Sequence, residues 1–315
     1  MNILVIGLPA LVLLLSTNFA SAAIYNGLIQ VVIFLITANI PALLTQRMSY
    51  VDIAWPWGLM AIGLFPLGLK TELNLRTKLV MGAYFLAGFR MAFGGAILLF
   101  KGQFGKEFPR YEYIKEKIWA QKLGITQAQT WAFNYIMQKE IFVQCVCNMG
   151  ALCLPLMIQG FGYMPADQGL TGLEIFGWAL WASSLVFEHT ADKQKKRFVQ
   201  ECAKTGQKKA ICNVGLWAYS RHPNYFGEWM VWNSLILTSV PSLLALWASE
   251  QENLAVKLGL TWGLFMISKM MYTCLVYYTG AVPAEHFSVQ KRPEYAKYQQ
   301  QVNMFFPWFP KSKNQ

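Results

Sequence analysis

Residues 24–44 read IYNGLIQVVIFLITANIPALL, a run of aliphatic and aromatic side chains without a single charge. A helix needs about 20 mostly apolar residues to cross the hydrocarbon core of a bilayer, and this run supplies them. Further apolar runs flank it near 3–21, 53–69, 78–100, 140–160, 170–188, 229–248 and 256–280. The run at 53–69 is short and carries Pro56 and Pro66, so a kink or re-entry is expected there. The run at 3–21 ends near Ala20-Ser21-Ala22, which looks like a signal-cleavage site. No basic residue precedes Arg47, however, so a retained first helix is expected.

Composition points the same way. Of 315 residues, 55% are hydrophobic and 14% are charged, against roughly a quarter charged in an average soluble domain. Mean hydropathy is +0.32. A soluble chain of this length would lack the polar surface to cover its core. Aromatic residues make up 15%, which excludes disorder, and six cysteines are too sparse for a secreted disulfide scaffold. The expected fold is an all-α polytopic membrane bundle of about 7–8 transmembrane helices, with a cofactor pocket on its cytoplasmic side.

The net charge of +11 is not gathered on one stripe, which removes nucleic acid as a partner. The basic residues sit between apolar runs. One group is Lys101, Lys106, Arg110, Lys115, Lys117, Lys122 and Lys139. A second is Lys193, Lys195, Lys196, Arg197, Lys204, Lys208, Lys209 and Arg221, and a third is Lys291, Arg292, Lys297, Lys311 and Lys313. The positive-inside rule places these segments and both termini in the cytoplasm, in a bacterial inner membrane or the endoplasmic reticulum. The connection at 70–78, with Lys70, Arg76 and Lys78 against Glu72, runs against that assignment. Within 101–139, Phe104, Phe108, Tyr111, Ile114, Ile118 and Trp119 recur at three- and four-residue steps. That spacing predicts an amphipathic helix lying at the membrane surface.

Charges within or bordering apolar runs are costly and face a cavity or a partner. They occur at Asp52, Arg90, Glu188-His189 and Glu228, and the last two bracket a dense polar run. Arg and Lys there suit phosphates, an Asn amide suits a carboxamide, and Tyr or Trp can pack on a planar ring. A cytoplasmic mouth of this kind fits an anionic cofactor with a planar ring. Capping alone would also explain Asn224 and Glu228 at a helix start after Pro223. His189, His222 and His286 lack paired metal spacing, and Cys145, Cys147 and Cys153 lie in an apolar run, so no metal is expected. No Gly-x-Gly-x-x-Gly element is present to build a Rossmann site.

The stretch Ser220-Arg221-His222-Pro223-Asn224-Tyr225-Phe226-Gly227-Glu228 resembles the signature of the steroid 5-alpha-reductase-like membrane family, in a bacterial and eukaryotic branch of it. Val51-Asp52-Ile53-Ala54-Trp55, Pro109-Arg110-Tyr111, Asp192-x-x-Lys195-x-x-Phe198 and Arg292-Pro293-Glu294-Tyr295 with Phe306-Pro307 resemble other elements of that family. The resemblance spans about 49–307, leaving N-terminal transmembrane helices at 1–48 and a polar tail at 308–315.

The resemblance implies a membrane oxidoreductase that uses NADPH to reduce an activated C=C bond of a lipophilic, steroid-like or other lipid enone. Asn224 and Glu228 match positions near the nicotinamide, and Asp192 matches an acid near the adenosine half. Lys195, Arg197 and Arg221 are candidate phosphate partners; His222 and Tyr225 fall in the same motif, and Arg292 and Tyr295 in a C-terminal clamp. Asp52 and Tyr84 are the candidates to polarise the substrate carbonyl, although Asp52 could pair with Arg90 or Arg47 and Tyr84 could simply pack. The expected partners are a lipophilic small molecule and membrane lipids, with no obligate protein partner. Two other functions suit part of the pattern. Membrane methyltransferases of the isoprenylcysteine and phospholipid type share an Arg-His-Pro-x-Tyr element and bind S-adenosylmethionine, and a non-catalytic scaffold or transporter needs no cofactor at all.

Overall fold

A computed structural model of the chain describes residues 3–207 and 210–311; Lys208, Lys209 and Lys313, counted above, lie outside that set. Among the described residues every regular element is helical. In chain order these are α1 (Ile3–Leu14), α2 (Ala20–Thr45), α3 (Met48–Gly68), α4 (Leu75–Phe100), a helical stretch α5 over 109–123, and α6 (Thr130–Phe161). Then follow α7 (Gly172–Lys204), α8 (Pro223–Ala248), α9 (Leu254–Lys291) and α10 (Tyr295–Gln301). Six of them, α2, α3, α4, α6, α8 and α9, are long and apolar enough to cross a membrane. The chain is an all-α polytopic membrane bundle.

Two of the expected spans come out differently. The run at 3–21 forms a helix of 12 residues, shorter than a bilayer requires. The run at 170–188 is the first half of the 33-residue α7, whose second half carries the lysines of 193–204. Pro56 is accommodated inside α3, and Pro66 sits in a closing 3-10 turn, Phe65–Gly68.

The chain divides into two compact units, Met1–Ile175 with Leu235–Ile267, and Phe176–Ser234 with Ser268–Gln315. In the first, polar side chains act as glue between apolar helices, as expected where no hydrophobic force drives helices together. Gln30 donates to Gly58 O at 3.0 Å and to Asn26 Oδ1 at 3.2 Å. Asn148 donates to Gln30 Oε1 at 3.0 Å. Gly58 is required at this crossing, since a Cβ there would lie 2.3 Å from Asn148 Nδ2.

The stripe expected on the membrane surface is turned inward instead. Phe104, Tyr111, Ile114 and Trp119 are all buried. Glu107 fixes this segment by accepting from Met48 N at 2.8 Å and Ser49 N at 2.9 Å, with Lys115 as its ion-pair partner. The helical period was correct, but protein rather than lipid covers the apolar face.

The start of α7 shows why its first turn forms where it does. Thr171 and Glu174 make a reciprocal capping box, with Thr171 N donating to Glu174 Oε2 at 2.8 Å and Glu174 N to Thr171 Oγ1 at 3.3 Å. Glu174 is also the bidentate partner of Arg76, and both side chains are almost wholly buried. Removing one member of such a pair leaves an uncompensated charge in a dry site. Arg76→Met should therefore cost about 3–5 kcal/mol of stability, while Arg76→Met with Glu174→Met should restore most of it. Melting of the two variants in detergent checks this, and an equal loss in both would show that the charges do not depend on each other.

Candidate cofactor pocket

The second unit is built around the return of the chain from α7 to α8. A 3-10 turn, Gly215–Ala218, makes that return possible. Gly215 has φ +56°, and a Cβ there would meet Gln194 at 2.5 Å, so glycine answers both demands. Gln194 Oε1 in turn accepts from Leu216 N at 2.9 Å, and Trp217 Nε1 donates to Ala191 O at 2.9 Å. Pro223 then opens α8, the helix position where a missing N–H costs nothing. One turn later Gly227 lets α8 approach α7 closely, since its Cβ would sit 2.8 Å from Glu188 Cβ.

Glu285, near the end of α9, holds this region together. Its Oε1 accepts from Arg221 Nε at 2.7 Å and faces His222 Nε2 at 3.0 Å. Its Oε2 accepts from Arg221 Nη2 at 3.1 Å and Gln299 Nε2 at 2.7 Å. Arg221 also donates through Nη1 to Gln299 O at 2.9 Å and to Val302 O. The C-terminal segment is further tied by Arg221 N to Asn303 O at 2.9 Å, Ser220 Oγ to Phe305 O at 2.9 Å and Tyr298 OH to Trp217 O.

These contacts border a partly open cavity of about 240 Å³. Lys195, Cys212, Trp217, Arg221, His222, Asn224, Tyr225, Arg292, Tyr295 and Tyr298 are among its lining residues. The Lys195 ammonium lies 4.4 Å from the centre of the Trp217 ring, and burial pulls its pKa below the usual lysine range. Burial likewise lowers the His222 pKa, an effect that Glu285 opposes. His222 stacks on Tyr225 with ring centres 5.3 Å apart and planes within 1°. Asn224 donates from Nδ2 to Asp192 Oδ1 at 3.1 Å, while its buried Oδ1 finds no partner among the described residues, and neither does Arg292 Nε. Two cations, an asparagine whose amide oxygen is unpaired among the described residues, and several aromatic rings therefore line one space. Such a space can take an anionic group beside a planar, hydrogen-bonding one.

Of the residues singled out by sequence, Lys195, Arg221, His222, Asn224, Tyr225, Arg292 and Tyr295 line this cavity. Asp192 acts from behind Asn224, and Glu228, one turn beyond it, is not among the lining residues. Two phosphate candidates need correction. Arg197 is exposed to solvent, and Arg221 spends its guanidinium on Glu285 and on backbone carbonyls. The two substrate-side candidates are likewise engaged within the first unit. Asp52 pairs with Arg110 at 2.9 Å and accepts from Tyr111 OH at 2.6 Å. Tyr84 is buried and donates to Leu152 O, which commits its phenolic proton. Glu285 was missed from the sequence. The signal was available, because it is an acid embedded at the end of a long apolar helix.

Residues 38–302 match the family described as a protein of unknown function, DUF1295, and the chain belongs to that family. No curated protein matches it, and no solved structure does.

Close approach at Gly227 gives a direct test of how the pocket is framed. Gly227→Ala pushes a methyl into the Glu188 backbone and should destabilise the protein by about 1–3 kcal/mol through overpacking. Gly94→Ala, where an added Cβ meets nothing within 4 Å, is the control and should be nearly neutral. Equal melting temperatures for the two variants in detergent would contradict the tight crossing.

Proposed function

We propose that this member of the DUF1295 family is a membrane reductase that uses NADPH to saturate an activated C=C bond of a lipophilic molecule. One observation carries the proposal. Lys195 and Arg292 line a partly open, aromatic-lined pocket with, among the described residues, no carboxylate paired to either, whereas the buried cations Arg76 and Arg221 are each paired. Unpaired cations in such a place ask for an anionic ligand. The resemblance of residues 220–228 to the steroid 5-alpha-reductase-like signature supports NADPH as that ligand.

The residues fit the cofactor in kind. Lys195 and Arg292 would meet phosphate oxygens, with Arg292 Nε still free to donate. Asn224 would present Oδ1 to the carboxamide, held at its angle by the Asp192 contact. Trp217, Tyr225 and Tyr295 supply faces on which a planar ring can lie. NADPH, when bound, supplies the hydride. What the chain contributes is alignment and exclusion of water, through the C-terminal segment tied across the 215–222 turn by Arg221, Ser220 and Tyr298. Asp52 and Tyr84 keep no free proton for a carbonyl, so the polarising acid is not assigned to them. The lysines of 189–228 favour the cytoplasmic side for this pocket, where NADPH is available.

NADPH should raise the melting temperature of the detergent-solubilised protein, and S-adenosylmethionine should not. Lys195→Met should abolish most of that stabilisation, whereas Arg197→Met should leave it intact. Asn224→Ala should lower the rate of NADPH oxidation with conjugated enones about a hundredfold, because orientation of the reacting ring is lost. Stabilisation by adenosylmethionine without any response to NADPH would replace this function with methyl transfer.

A further inference from the structure

Glu285 does more than tie down the C-terminal segment. Its Oε1 lies 3.0 Å from His222 Nε2, and the carboxylate is already the acceptor for Arg221 and Gln299. An ionised carboxylate can only accept, so the imidazole must donate from Nε2. A neutral ring that donates from one nitrogen accepts at the other. His222 lines the cavity, and its stack against Tyr225 fixes the ring plane. Asn224 shows the same design, because Asp192 takes an N–H from its Nδ2 and leaves the unpartnered Oδ1 as acceptor.

We propose that Glu285 is a positioning residue that locks His222 as the Nε2–H tautomer, so that Nδ1 is a fixed hydrogen-bond acceptor inside the cavity. With Asn224 Oδ1, the pocket then offers two acceptors beside the cations Lys195 and Arg292. The ligand it selects carries N–H or O–H donors close to its phosphate groups. A nucleotide with a free ribose hydroxyl or amide meets that requirement; a bare polyphosphate, which has only acceptors at neutral pH, does not. The identity of the ligand as NADPH rests on the function proposed above, but the locked acceptor does not.

Nitrogen-15 NMR of histidine-labelled, full-length protein in detergent reads this directly, since the chain has only three histidines. The His222 signal is assigned by its loss in His222→Asn. The expected spectrum shows a protonated Nε2 and a bare Nδ1 without nucleotide, and an Nδ1 signal displaced toward the hydrogen-bonded range when NADPH is added. A protonated Nδ1 overturns the proposal. So does an Nδ1 signal that neither NADPH nor adenosylmethionine moves. A response to adenosylmethionine alone keeps the locked acceptor and defeats the reductase instead. Binding supplies a second readout. His222→Phe should weaken nucleotide affinity about tenfold, the value of one hydrogen bond. His222→Asn, whose Oδ1 can stand near the Nδ1 position, should recover most of that loss. No recovery in a folded Asn variant would mean that His222 serves packing alone.

Discussion

A carboxylate at the end of an apolar helix is the constraint on which the second unit depends. Moving Glu285 out of water costs several kcal/mol unless its lone pairs are filled. Arg221, His222 and Gln299 fill them, and they come from two separate stretches of chain. Satisfying one acid therefore brings the 220–222 turn and the 299–302 segment to the same place. Arg221 extends the effect by capping the carbonyls of Gln299 and Val302, and Tyr298 reaches the Trp217 carbonyl. The cavity wall is in this sense a consequence of ion-pair chemistry rather than of shape alone. Loss of any one donor leaves charge behind, which is more costly than removing the whole cluster.

Most of the fold was legible because hydrocarbon thickness imposes a length on apolar runs. The run at 24–44 lies within α2, and those at 78–100 and 229–248 lie within α4 and α8. What the pattern does not carry is the identity of the neighbour. In 101–139 the three- and four-residue spacing was that of a helix with one apolar face, yet Ile114 and Trp119 are covered by protein. Lipid tails and leucine side chains are equally good at covering such a face, so periodicity alone does not choose between them. The short α1 failed for a different reason. Residues 15–19 break the helix there, and Ser16 is buried with its hydroxyl donating to Glu252, a partner far away in sequence.

At the site, residue type was a better guide than assigned role. Lys195 and Arg197 both read as phosphate partners, but positions two apart on a helix point to nearly opposite faces. Once Asp192 and Lys195 turn toward the cavity wall, Arg197 has to face solvent, and it does. That correction was available from spacing alone. The correction at Arg221 was not, because its carboxylate partner lies 64 residues along the chain. Asp52 and Tyr84 are likewise engaged by partners that only the folded chain supplies: Arg110 and Tyr111 for the acid, the Leu152 carbonyl for the phenol.

That pattern suggests how sites can be recognised in chains this poor in charge. With 14% charged residues, each buried ion is a considerable expense and must be answered by something. Arg76 is answered by Glu174, and Arg221 by Glu285. Among the described residues, Lys195 meets the face of Trp217 and no carboxylate, and Arg292 keeps a buried N–H without an acceptor. An ammonium over an aromatic ring recovers about 0.5–2 kcal/mol, less than a full ion pair gives back in a dry site. The shortfall is concentrated on one cavity, which Asn224 also lines. A folded chain tolerates such a deficit when something else supplies the missing contacts for part of the time. On the function proposed above, these groups describe the ligand in negative: anionic where Lys195 and Arg292 stand, and hydrogen-donating beside Asn224.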